Sequence, residues 1–210
     1  MVRSHSGAFF QTKKYRAGAA PFLRSEMGNQ IIVVFGSGTV KKGTQQFKMA
    51  YETGFLLAKA GFTIANGGYN GSMLASAKGA KAAGGMTIGV TAEEFRDSVK
   101  NDFIDREIRK RTWRERLHEL IDLGDGFVVL NGGTGTLAEL MVSWEMNNKS
   151  LHRKPIVVLG HHMKSAINAF RRNPEVAVPK ELCFASTPKA AVWYLVKEVG
   201  DGSGGARFTS

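Results

Sequence analysis

The stretch Gly126-Phe127-Val128-Val129-Leu130-Asn131-Gly132-Gly133-Thr134-Gly135-Thr136-Leu137-Ala138-Glu139 decides how this chain is read. Its first five residues are an apolar run of strand length. A glycine-rich turn follows, and the segment from Leu140 to Met146 is apolar at helical spacing. The order is strand, glycine turn, helix. Glycines in such a turn let the backbone approach a ligand closely. The unpaired N–H groups of the first helical turn face that ligand, and the helix dipole favours an anion there. Glu139 falls about one turn into the helix. A carboxylate is a poor choice for a site that only holds phosphate. It makes sense where a phosphorylated molecule is chemically changed nearby.

Outward from this stretch the same unit repeats. Ile31-Ile32-Val33-Val34-Phe35 is a continuous apolar run, as in a parallel strand buried on both faces. The turn Gly36-Ser37-Gly38-Thr39 follows it, then a helix from about Thr44 to Ala60. Phe62 to Ala65 reads as a second strand, ending in Asn66-Gly67-Gly68-Tyr69-Asn70-Gly71. Ser72 to Ala83 is an Ala-rich helix and Met86 to Val90 a third strand. An acid-bearing segment, Thr91 to Asn101, leads into a long charged helix expected from Asp105 to Ile121. Beyond the opening motif, Pro155 to Leu159 is a fifth strand, Met163 to Arg171 a helix and Leu182 to Ala185 a short sixth strand. Thr187-Pro188 places an N-cap and a first-turn proline before a last helix, Lys189 to Glu198. The alternation predicts an α/β fold: a single-domain, Rossmann-like, doubly wound parallel sheet with helices on both faces. This domain runs over residues 30–200, between a basic N-terminal extension (1–29) and a flexible Gly/Ser-rich tail (201–210).

Composition narrows the classes. A chain of 210 residues can bury a sizeable core, and 43% hydrophobic with 22% charged residues is ordinary for a globular protein. No apolar run approaches the ~18 residues of a membrane span. The single Cys183 excludes an internal disulfide framework and fits a reducing compartment, so a cytoplasmic protein is expected. The formal net charge of +11 is compatible with nucleic acid, with small anionic substrates, or with solubility alone. The extension carries Arg3, Lys13, Lys14, Arg16 and Arg24 against one acid, Glu26. That pattern resembles an organelle transit peptide, although a loose extension packing on a partner subunit is the favoured reading.

Three glycine turns follow three strands, at Gly36, at Gly67-Gly68 and at Gly132-Gly133-Thr134-Gly135. In an open parallel sheet all strand C-termini lie along one edge, so the turns converge on one crevice suited to a nucleotide or sugar phosphate. Nicotinamide dinucleotides are disfavoured: Lys41 stands at the third glycine position of the fingerprint, and Ala65-Asn66 stand where an acid should hold the ribose. No Gly-Lys-Ser/Thr triplet and no Gly-x-Ser-x-Gly elbow occur. His161 and His162 are adjacent and cannot share a helix face, so a metal site is poorly supported.

Gly132-Gly133-Thr134-Gly135-Thr136-Leu137-Ala138-Glu139 resembles the Pro-Gly-Gly-x-Gly-Thr-x-x-Glu signature of the Lonely Guy (LOG) family, cytokinin-activating and related nucleotide phosphoribohydrolases often mislabelled lysine decarboxylases. Gly36-Ser37 is similar to that family's first turn, and Asn66 to Met73 to its second. Trp113-Arg114-Glu115-Arg116 lies where the family carries Met-His-x-Arg, with Arg116 in register with its functional arginine; Asp125 and Phe127 are in register too. The likeness covers roughly residues 30 to 160. Three departures, Asn131 for proline, Arg114 for histidine and Leu117 for lysine, bear on the substrate rather than the fold.

The resemblance implies cleavage of the N-glycosidic bond of a nucleoside 5′-monophosphate, AMP-like, by a homodimer with the Asp105–Ile121 helix near the interface. Glu139 would stabilise the oxocarbenium-like state or activate water, and Arg116 would orient the sugar phosphate or position Glu139. Gly133, Thr134, Gly135 and Thr136 would hold the phosphate, with Gly36, Ser37, Gly67, Gly68 and Gly132 completing the site. No metal or redox cofactor is required. Read without the family, Glu139 could simply complement the helix dipole and Arg116 could be a solvated residue flanking the stripe Trp113, Leu117, Leu120. Met141 and Trp144 read as core or dimer interface. A binder without turnover, like the molybdenum cofactor carrier protein of the same superfamily, is the alternative; a single-strand binder of the DNA-processing protein A type is disfavoured, because the basic residues are spread without interleaved aromatics.

Overall fold

Seven strands and six helices, alternating except where the fourth strand follows the third directly, occupy residues 29–200, the part of the chain that this computed structural model describes. In chain order they are β1 (Ile31–Phe35), α1 (Gln45–Lys59), β2 (Thr63–Asn66), α2 (Ser72–Ala82), β3 (Thr87–Ala92), β4 (Arg106–Lys110), α3 (Trp113–Leu123), β5 (Gly126–Leu130), α4 (Thr134–Asn148), β6 (Ile156–Leu159), α5 (His161–Phe170), β7 (Leu182–Phe184) and α6 (Pro188–Gly200). The expected tail, and all but the last residue of the expected extension, lie outside the described residues.

The strands form one sheet in the order β4-β3-β2-β1-β5-β6-β7, every pair parallel. The expected doubly wound sheet is therefore present, and its strand order reverses between β1 and β5. Helices cover both faces, which is why central strands are apolar throughout rather than alternating. Ile31, Val33 and Phe35 pack under α3, α4 and α5; Ile32 and Val34 pack under α1, α2 and α6. Phe35 stacks on Phe127 across the β1–β5 pair, ring centroids 5.4 Å apart. α1 and α2 approach backbone to backbone: a Cβ on Gly79 would collide with the Tyr51 carbonyl, and one on Gly54 with that of Ser76.

Most elements lie within a residue or two of their expected positions, but one expectation is overturned. Residues 105–121 are not one long helix. Arg106–Lys110 is an edge strand that pairs in parallel with β3, and the helix starts only at Trp113. Exposed and half-buried positions alternate along β4, with Ile108 packed against the core, as befits a strand with one wet face. Asp105 pins the strand entry by accepting from the Thr87 N–H at 2.9 Å and from Lys81 at 2.7 Å. The helix boundary is a reciprocal cap: Thr112 accepts from the Glu115 N–H, and Glu115 reaches back to the Thr112 N–H. Among the described residues no helix is long and apolar enough to cross a membrane.

Candidate active site

The three glycine turns meet at the C-terminal edge of the sheet, over the β1–β5 reversal, and they are stitched together. The Ser37 N–H donates to the Asn131 carbonyl at 3.2 Å, and the Ser72 N–H donates to the Ser37 carbonyl at 2.8 Å. Thr39 N–H donates to Ser37 Oγ at 3.1 Å. Asn66, at the position where a dinucleotide binder would carry its ribose acid, is fully occupied by the turn. Its Oδ1 accepts from Gly68 N–H at 2.8 Å and its amide donates to the Met73 carbonyl at 2.9 Å.

A cleft of about 620 Å³ opens between these turns. Ser37 to Thr39 line one side and Gly133 to Thr136 another, with Arg116 and Glu139 in the wall. Gly133 is the N-cap of α4 and brings no capping side chain, so the N–H groups of the first turn stay open. Nothing lies within 4 Å of where a Cβ would sit on Gly133 or Gly135. The turn thus offers backbone donors and a helix dipole to any anion in the cleft.

Arg116 is buried on α3. Its Nε donates to the Val90 carbonyl at 2.8 Å, and its guanidinium lies 5.8 Å from the Tyr69 ring centroid and 5.7 Å from that of Phe95. Its Nη1 stands 3.6 Å from Glu139 Oε1, with the two side chains 7% and 12% exposed. Burial lowers the arginine from its ordinary value and Glu139 opposes this; a guanidinium stays protonated all the same. Burial pushes Glu139 up to about 7, against the pull of Arg116. The cleft therefore holds a fixed cation beside a carboxyl that ionises near neutrality, next to an anion-ready helix end. The idea that Arg116 is a solvated flank residue does not survive its burial. Glu139, in the second turn of α4, is also too far along the helix for the dipole to explain it.

Eight of the expected site residues line the cleft: Gly36, Ser37, Arg116, Gly133, Thr134, Gly135, Thr136 and Glu139. Gly67, Gly68 and Gly132 lie behind it, where a side chain would strike a neighbour. A Cβ on Gly67 would run into the Arg116 guanidinium, one on Gly68 would come 2.9 Å from Thr91 Cγ2, and one on Gly132 would meet Thr136. These glycines make room for the lining rather than form it. Phe95 and Ser98 also line the cleft and were given no role by the sequence, nor were Tyr69, Asn70 and Met73 within the second turn; Trp113, expected in an apolar stripe with Leu117 and Leu120, lines the cleft as well and is 40% exposed. Phe95 and Ser98 sit in a polar loop without periodicity, so no pattern could single them out.

Asn131 has a structural explanation. Gly160, the N-cap of α5, supplies no capping side chain, and Asn131 Oδ1 accepts from the Met163 N–H at 3.3 Å instead. Proline could not do this. Leu117 is core, and Arg114 is exposed. His161 and His162 sit side by side on the first turn of α5, ring centroids 3.7 Å apart. His161 borders a second cleft of about 550 Å³ over β6 and β7, which contains neither Glu139 nor any of the Gly133–Thr136 donors. Trp144 is core, its Nε1 donating to the Ala177 carbonyl at 2.7 Å, and Met141 is half-buried against the core.

Fold and cleft define a class: doubly wound α/β proteins with a glycine-turn cleft at the strand-order reversal. The chain belongs to the SLOG cluster4 family, whose model matches residues 29–192. It is 31% identical over 158 residues to an uncharacterised protein of Archaeoglobus fulgidus, covering 75% of this chain and 97% of that one. It is 36% identical over 115 residues to the cytokinin riboside 5′-monophosphate phosphoribohydrolase of Mycobacterium tuberculosis, covering 53% of this chain and 61% of the enzyme. The match thus spans less than two thirds of that enzyme's length. Among solved structures, the molybdenum cofactor binding protein of Rippkaea orientalis superposes with a TM-score of 0.65 at 26% identity, over 81% of this chain and 97% of that one. The Lonely Guy-like kinship expected from the glycine motif is borne out.

Proposed function

We propose that the cleft hydrolyses the N-glycosidic bond of a nucleoside 5′-monophosphate, releasing the free base and ribose 5-phosphate. The observation that carries this reading is the buried Arg116–Glu139 pair beside the open N-terminus of α4. Thr134, Gly135 and Thr136 would donate to the 5′-phosphate. As the bond from the anomeric carbon to the base nitrogen lengthens, the base leaves with the bonding electrons and positive charge grows on the sugar. The Glu139 carboxylate would stabilise that charge or take a proton from the water whose oxygen bonds to the anomeric carbon, and the proton lost by that water balances the one the departing base takes up. Arg116 would hold Glu139 in place through a charge-assisted contact. The named activity of the Mycobacterium tuberculosis relative supports the reading. The reading includes a homodimer with α3 near the interface, which light scattering of the purified chain would test.

A second reading, binding of a nucleotide or phosphorylated cofactor without turnover, is favoured by the likeness to the Rippkaea orientalis protein, which spans nearly all of it. Incubation with AMP, GMP, CMP, UMP and N6-modified AMP separates the two. Free base and ribose 5-phosphate from at least one substrate are expected. Tight binding of one with no product from any would establish the carrier reading instead.

A further inference from the structure

We propose that Trp113 is the base-stacking residue of the cleft and that it selects a flat bicyclic, purine-sized base over a single-ring one. This rests on the reading of the cleft as a nucleotide site. Arg116 joins two chemically different parts of that cleft. On one side it faces Glu139 and the α4 turn; on the other its guanidinium is covered by the rings of Tyr69 and Phe95. Met73 and Trp113 line the same cleft. Tyr69 is buried with its hydroxyl held by the Ala92 N–H at 2.9 Å, so its ring is committed to the scaffold. Phe95 packs edge-on against Tyr69. Trp113 differs: it is 40% exposed, and among the described residues its indole has no ring or cation partner.

Its backbone is nonetheless fixed. Trp113 is the first residue of α3, directly after the Thr112–Glu115 cap, and its N–H donates to Glu94 Oε2 at 2.7 Å. A rigid mount with a free aromatic face is a stacking platform that loses little freedom on binding. Asn70 and Ser98 are neutral side chains lining the cleft, the Glu94 carboxylate beside Trp113 accepts from its backbone N–H, and the two charged groups lining the cleft face each other. Recognition by ring area, with little readout of the base edge, follows from that inventory.

Calorimetry and tryptophan fluorescence on the full chain test it, with AMP, CMP and ribose 5-phosphate as ligands. AMP should quench the emission and bind more tightly than CMP. Trp113→Ala should weaken AMP by about tenfold or more, Trp113→Phe should keep most of the affinity while losing the quench, and ribose 5-phosphate should bind all three proteins equally. Unchanged AMP affinity in Trp113→Ala overturns the proposal, as does an equal loss for ribose 5-phosphate, which would mark a scaffold role. If AMP stacks but no base is ever released, stacking stands and hydrolysis falls.

Discussion

Glu139 is asked to be charged where water is scarce. Its ordinary value near 4.5 is raised to about 7 by burial, despite a guanidinium 3.6 Å away. In the proposed reaction the ionised form is the working one, so kcat/KM should climb as pH rises through about 7. A profile already flat above pH 5 would contradict this. The sign for stability is the reverse. A carboxyl with a raised value binds its proton more tightly in the folded state, so its contribution is fully present below about 4.5 and lost as pH rises to about 7. Relative to the parent, Glu139→Gln should therefore fare better at pH 8 than at pH 4, and a Tm difference that does not move with pH would count against the account. Gly67 acts on the same pair through space alone. Gly67→Ala puts a methyl where the Arg116 guanidinium lies, and small displacements of catalytic groups cost up to about a hundredfold. A fall of tenfold or more in kcat/KM is expected, and unchanged kinetics would mean that the pair tolerates displacement.

At the scale of elements, β4 and α3 explain what was legible in the sequence and what was not. β1, β5 and β6 are buried on both faces, so they appear as unbroken apolar runs and could be read directly. β4 is an edge strand whose one core contact is Ile108, and its remaining Arg, Glu and Lys residues mimic the charged face of a helix. The Thr112-Trp113-Arg114-Glu115 cap was the available signal for where that helix begins. Arg116 and Glu139 lie on different helices, and only the register with a known motif brought them together before the fold did. Phe95 was missed because an aromatic in a loop leaves no period to read, and Trp113 was read into the stripe with Leu117 and Leu120 because its spacing is helical, although it is 40% exposed while they are core. β4 is fastened to α3 by Lys110, whose Nζ lies 2.8 Å from Glu119 Oε2, with that carboxylate 3% exposed and its other oxygen unpartnered. Lys110→Met leaves a buried charge alone and should destabilise by about 3 kcal/mol, read by urea melts. Adding Glu119→Gln should recover much of that, and additive losses would contradict the pairing.

For the whole molecule, the strand order is what turns separate motifs into one site. Because β1 and β5 are neighbours although three strands intervene in the chain, the turns after β1, β2 and β5 share one edge and one cleft. The opposite end of the sheet carries a different titration. His152 is held near 4 rather than 6.5 by burial, with Lys154 adding to the effect. The unfolded chain takes up that proton first, so stability should decline as pH falls from about 6.5 to about 4. His152→Gln should flatten part of that decline, and an unaltered slope would show that other groups cause it. The central claim is that the Arg116–Glu139 pair performs chemistry on a phosphorylated ligand seated at the α4 turn. Its most direct test is the release of base from the preferred mononucleotide by the parent and by Glu139→Gln, with ligand affinity measured on both. The account predicts a loss of about a hundredfold to ten-thousandfold in kcat with affinity largely kept. Equal turnover by the two proteins would contradict it.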